Sequence, residues 1–159
     1  MSQADAKQAL QELTGLTTPD GWTVGEVLQR ASYQTGGAFS VGYLATHGDG
    51  RKGFLKALDF SRAVDAQDPV RDLEQMTAIY NFERDVLAVC KGARLSKIVV
   101  AISDGALEVP KAPFGRVFYL LFELADGDIR RKTYLSNQID VSWTIRAIQH
   151  IATGVSQLH

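Results

Sequence analysis

The stretch TGGAFSVGYLATHGDGRKGFLKALDF, Thr35 to Phe60, decides how this chain is read. Phe39, Val41, Tyr43 and Ala45 alternate with Ser40, Gly42 and Leu44, the two-residue period of a strand. His47-Gly48-Asp49-Gly50 is a hairpin signal, because Asp-Gly tolerates positive φ at low cost. Gly53 to Phe60 is then the return strand, and Lys56 interrupts its apolar run. A lone lysine in a strand commonly points to solvent from an edge, and glycine clusters commonly mark turns. The order of what surrounds this stretch argues for more.

Upstream, residues 4–14 predict a short amphipathic helix with Ala6, Leu10 and Leu13 on one side and Gly15 as its stop. Thr17 to Gly21 is a turn, and Trp22 to Leu28 a strand. Downstream, the polar segment Asp65 to Asp72 leads into a long helix predicted over Pro69 to Val89. Proline suits its first turn, where no N–H is needed. Leu73, Met76, Ile79, Tyr80, Val86, Leu87 and Cys90 recur there at helical spacing. Lys97 to Ser103 and Arg116 to Leu124 are β-branched or aromatic runs that predict two more strands, punctuated by Asp104-Gly105 and by residues 110–115. A loop over 125–128, a short helix over 129–135 and a final helix over 140–158 complete the chain. Ile145, Ile148, Ile151, Val155 and Leu158 stripe that last helix. The order predicts an α+β fold, an antiparallel sheet with one long helix packed on it, followed by a helical region.

The composition is that of an ordinary globular chain. Of 159 residues, 45% are hydrophobic and 22% charged, with a net charge of -1, so no basic field draws in nucleic acid. No apolar run approaches the roughly 18 residues of a membrane helix, and the N-terminus has no signal-peptide core. Cys90 is the only cysteine, which fits a reducing cytoplasm and reads as a small buried residue. His47, His150 and His159 are too scattered to make a metal site. Trp22 and Trp143 read as packing anchors, and Arg130-Arg131-Lys132 as a solvated face.

A glycine-rich hairpin, a lysine in the middle of the next strand, a long helix carrying Glu83 in FERDVLAVC, and two strands running into FELADGD follow one another in that order. In this order the chain resembles the protein kinase family. In that family a glycine-rich flap covers the nucleotide phosphates, and a lysine in a V-A-I-K context pairs with the phosphates and with a glutamate of the next helix. The resemblance implies that GFLKAL carries that lysine as Lys56, and that Glu83 is its partner. Glu74 is a rival nearer the family's usual spacing, while the local context of Glu83 favours the latter. Gly36, Gly37, Ala38 and Phe39 would roof the phosphates. Phe122 would be the gatekeeper, Glu123, Leu124 and Ala125 would offer backbone groups to adenine, and Asp128 would sit near a ribose. The helix ending in Leu158-His159 resembles the one that precedes the catalytic loop.

The glycine pattern departs from the family's, with Thr35 and Ser40 at two of its three glycine positions. The H-R-D and D-F-G segments do not occur in these residues. The resemblance therefore implies a division into an N-terminal helical extension (1–18), a kinase-like small lobe with a five-stranded sheet (19–124), and the hinge and first helices of an incomplete large lobe (125–159). The parent activity it implies is ATP-dependent phosphorylation of protein serine or threonine, with this chain inactive alone and Mg²⁺ expected only with the further segment. Its expected partners are ATP and either a protein substrate or the rest of the large lobe, with no nucleic acid and no membrane. The apolar stripe of 140–158, left uncovered, predicts an exposed patch and self-association. A scaffold or pseudokinase module without chemistry, and part of a small-molecule kinase of the same fold, are the alternatives.

Overall fold

A computed structural model describes residues 8–28, 39–64, 66–127, 129 and 140–158. Five strands form one antiparallel sheet: β1 (Trp22–Val27), β2 (Ser40–His47), β3 (Lys52–Leu58), β4 (Ala101–Glu108) and β5 (Arg116–Glu123). Their spatial order is β1-β2-β3-β5-β4, so the last strand inserts between β3 and β4. Among the described residues, the helices α1 (Ser61–Val64), α2 (Pro69–Gly92) and α3 (Val141–Gln157) accompany them. Residues 8–11 are also helical. The chain is thus α+β, with a five-stranded antiparallel sheet and one long helix.

Each element follows from local chemistry. The β2–β3 turn is clamped by Asp49, whose carboxylate accepts hydrogen bonds from the Arg51 N–H at 3.0 Å and from Arg51 Nε at 2.8 Å, with His47 Nδ1 at 2.9 Å. The backbone hydrogen bond from Arg51, then the His47 side chain, hold the Asp49 carboxyl well below the usual carboxylate range. Helix α2 begins where Asp68 accepts from the Arg71 N–H at 3.1 Å and Pro69 takes the first position. It runs to Gly92, one turn beyond the sequence expectation, and Lys91 in its last turn donates to the Ile102 carbonyl at 2.9 Å. β5 is an interior strand, and from Val117 to Phe122 all but Phe118 are buried, which is why it reads as an unbroken apolar run rather than an alternating one.

β4 departs from the reading of the sequence. The expected strand over 97–103 starts instead at Ala101 and runs through Asp104-Gly105 to Glu108. Gly105 is not a turn residue here. It makes room for the Tyr119 ring of β5, since a Cβ at 105 would lie 2.8 Å from the Tyr119 hydroxyl. The apolar residues before β4 serve another contact: a Cβ at Gly154 of α3 would lie 3.3 Å from the Lys97 carbonyl and 3.6 Å from Ile98.

The sheet has two covered faces. On the far face, Trp22, Val24, Tyr43, Ala45, Leu55, Ala57, Tyr119 and Leu121 form one core with Ala9, Leu10 and Leu13 of the N-terminal segment. Tyr43 donates its hydroxyl hydrogen bond to the Leu10 carbonyl. That segment, read from sequence as an extension, contributes directly to this core. On the near face, Leu120 and Phe122 pack with Tyr80 of α2, flanked by Phe54, Leu58, Leu87, Ala101 and Phe118. The segment before β1 also reaches the opposite edge strand. Asp20 accepts hydrogen bonds from Ser103 of β4 and from Thr18, each at 2.6 Å. β1 and β4 are the two edges of the sheet, so the turn before β1 ties its two margins together.

Candidate functional site

On β3, Gly53, Leu55 and Ala57 are buried in the far core, whereas Phe54, Lys56 and Leu58 are half-buried on the near face. Lys56 therefore does not leave the sheet into bulk solvent. It lies under α2, between Gly42 of β2 and Leu120 of β5, its partners in register. An ammonium there requires a countercharge.

Helix α2 supplies it. Met76, Tyr80, Glu83, Leu87 and Cys90 recur at spacings of four and three and form the stripe toward the sheet, with Tyr80 and Cys90 buried. Glu83 is the one charge in that stripe, and Lys56 is the one half-buried charge on its strand face, Lys52 at the strand's start being exposed. Lys56 Nζ donates to both carboxylate oxygens of Glu83, each at 2.7 Å, across 27 residues of sequence. The two side chains are 23% and 32% exposed, so the pair is sheltered yet open to a ligand. Glu74, the rival partner, is exposed and away from this stripe. Arg84 is turned outward, pairing with Asp85 at 3.0 Å and lying 5.8 Å from the Tyr80 ring.

A cavity of about 90 Å³ adjoins the pair, lined by Phe39, Ser40, Lys56, Leu58, Phe60, Met76, Ile79, Tyr80 and Glu83. It is well below the roughly 300 Å³ of an ordinary ligand pocket, so a ligand larger than a phosphate group would extend beyond it. Phe39 stands at the entrance to β2, where its carbonyl accepts from the Asp59 N–H at 2.8 Å and Arg62 covers its ring at 4.7 Å. Arg62 is a second cation near the cavity, and nothing in its local sequence singles it out.

The expected adenine edge lies apart from the cavity. Phe122 is buried against Phe54 and Tyr80, while Glu123, Leu124 and Ala125 are exposed at and just past the end of β5. Glu123 is tied to the strand leading into β4. Its N–H donates to the Val100 carbonyl at 3.1 Å, and its carboxylate accepts from the Val100 N–H at 3.2 Å. Gly36, Gly37, Ala38 and Asp128 lie outside the described residues. Among the described residues no three His, Cys, Asp or Glu side chains cluster so as to hold a metal, and no helix is long and apolar enough to cross a membrane.

The chain matches no protein-family model and no curated protein. The site offers a fixed cation beside a small, largely apolar cavity, held by a carboxylate from a neighbouring element and with a glycine as its strand partner. A lysine so placed can bind and orient an anion, and Glu83 fixes the position of its ammonium.

Proposed function

We propose that this chain is the nucleotide-binding portion of a protein serine/threonine kinase-like phosphotransferase. The observation that carries the proposal is the pairing of Lys56 with both oxygens of Glu83. Two charges that each break the apolar pattern of their own element are set against each other at the mouth of a cavity. ATP carries about four negative charges, and Lys56 would contact its α- and β-phosphates. Glu83 aims Lys56, Phe39 would lie beside the phosphate end, and the backbone of Glu123 to Ala125 would offer groups to the adenine, apart from the Glu123 N–H, which donates to Val100. Phosphoryl transfer depends on positioning and charge stabilisation. These residues supply the positioning of the donor, and the acceptor and metal-binding parts would belong to a further segment.

Nucleotide-dependent thermal shift tests this. ATP is expected to raise the melting temperature of the wild-type chain, and Lys56→Met is expected to lose at least tenfold in ATP affinity while still folding. Methionine keeps the apolar stem between Phe54 and Leu58, and Glu83 retains access to water. An equal ATP response from Lys56→Met would count against the proposal.

The size of the cavity favours a second reading, a kinase-like binding or scaffold module in which the ion pair chiefly ties α2 to the sheet. On that reading ATP leaves the melting temperature unchanged, and Lys56→Met and Glu83→Gln alter stability alone.

A further inference from the structure

We propose that Arg62 binds the terminal phosphate of the nucleotide whose inner phosphates lie at Lys56. This rests on the nucleotide reading above and adds to it a residue outside the lysine–glutamate pair. The need for a further cation is electrostatic. Lys56 donates to both oxygens of Glu83, so the pair is close to neutral as a unit. A triphosphate brings about four negative charges to it. The balancing charge must come from another element.

The course of β3 indicates which element. Gly53 pairs in register with Glu123, at the end of the sheet assigned to the base, and Lys56 follows about 10 Å along the strand. Another stretch of about 10 Å reaches Asp59. Its N–H donates to the carbonyl of Phe39, which lines the cavity together with Lys56. A phosphate chain that passes Lys56 and continues away from the base therefore runs toward Phe39 and α1. There the Arg62 guanidinium carbon lies over the Phe39 ring, 4.7 Å from its centroid. An aromatic face attracts a guanidinium without using up its N–H donors. Among the described residues no carboxylate lies within ion-pair distance of Arg62. The nearby Asp59 carboxylate accepts instead from the Ser61 N–H at 2.9 Å. Arg62 is exposed, so a ligand reaches it. An uncompensated planar cation, steadied by a ring that also lines the lysine's cavity, matches the end of a polyphosphate, where two oxygens can be taken at once.

Isothermal titration of the full chain with ATP and with ADP, without added metal, tests the proposal. Wild type is expected to bind ATP about tenfold more tightly than ADP. Arg62→Gln, at an exposed position, is expected to bind ATP no better than ADP, with ADP affinity unchanged. Arg62→Lys keeps the charge and is expected to retain part of the preference for ATP. Equal affinities in wild type, a preference for ATP retained in Arg62→Gln, or equal loss of both nucleotides there would each overturn the proposal. So would an Arg62→Lys chain that discriminates no better than Arg62→Gln. In those cases a loss of both nucleotides in Lys56→Met would leave the nucleotide reading standing. Failure of the wild type to bind either nucleotide would overturn both.

Discussion

Tyr43 shows how one buried side chain couples stability to pH. It is fully buried and donates to the Leu10 carbonyl, and burial pushes its hydroxyl up to about 12. An unfolded tyrosine ionises near 10. Between about pH 10 and 12 the unfolded chain has released a proton that the folded chain keeps. Stability is therefore intact below pH 10 and falls through that window. Burial raises Tyr80 and Tyr119 as well. Tyr43→Phe is expected to cost about 1–3 kcal/mol at neutral pH, because the Leu10 carbonyl loses its donor. The same variant should lose less stability than wild type between pH 10 and 12, with urea melts across that range as the check. A decline as steep as that of wild type would place the alkaline sensitivity elsewhere.

At the scale of elements, α3 has the least cover. Val141, Ile145, Ile148, Ile151 and Val155 are each more than half exposed, while Gly154 and Gln157 hold the helix against residues 97–98. Asp140 caps its start, accepting from the Ser142 and Trp143 N–H groups. The helix is thus defined at its ends and uncovered along its apolar stripe. An exposed stripe of this length is expected to bind an apolar dye and to drive concentration-dependent association, measured by sedimentation. Ile148→Glu should weaken both without unfolding the domain. A wild-type monomer at all concentrations that binds no dye would contradict this.

Much of this was legible in the chain. The hairpin, the start of α2 and the stripe of α3 follow from an Asp-Gly turn, an Asp-Pro entry and an apolar repeat, all of them local signals. Lys56 and Glu83 stood out because each violates the pattern of its own element. β4 was misplaced because a glycine required by Tyr119, a residue of another strand, looks from its neighbours like a turn. The N-terminal segment looked like an appendage because nothing in residues 8–14 says which face they cover. Local pattern identifies elements, while shape complementarity between distant ones stays hidden.

At the scale of the whole molecule, a hydrogen bond ties the two margins of the sheet together. Asp20 precedes β1 and bonds to Ser103 of β4. Burial pushes the Asp20 carboxyl up, but the hydrogen bonds from Ser103 and Thr18 outweigh it and bring it below its usual value. Its contribution to stability is therefore present above the unfolded carboxylate range near pH 4 and is lost as pH falls through the lowered folded value. Ser103→Ala is expected to cost about 1 kcal/mol at neutral pH and to shrink the acid-side loss. An unchanged acid midpoint would show that the link contributes little.

The insertion of β5 between β3 and β4 has a consequence for biosynthesis. Gly53 finds its strand partner in Glu123, and Lys56 rests beside Leu120. When translation has delivered both charges of the ion pair, the strand that braces them has yet to leave the ribosome. Until it does, one margin of β3 presents unpaired backbone to any nascent neighbour. Damage to β5 would accordingly surface first as poor yield and inclusion bodies, before any loss of binding could be assayed.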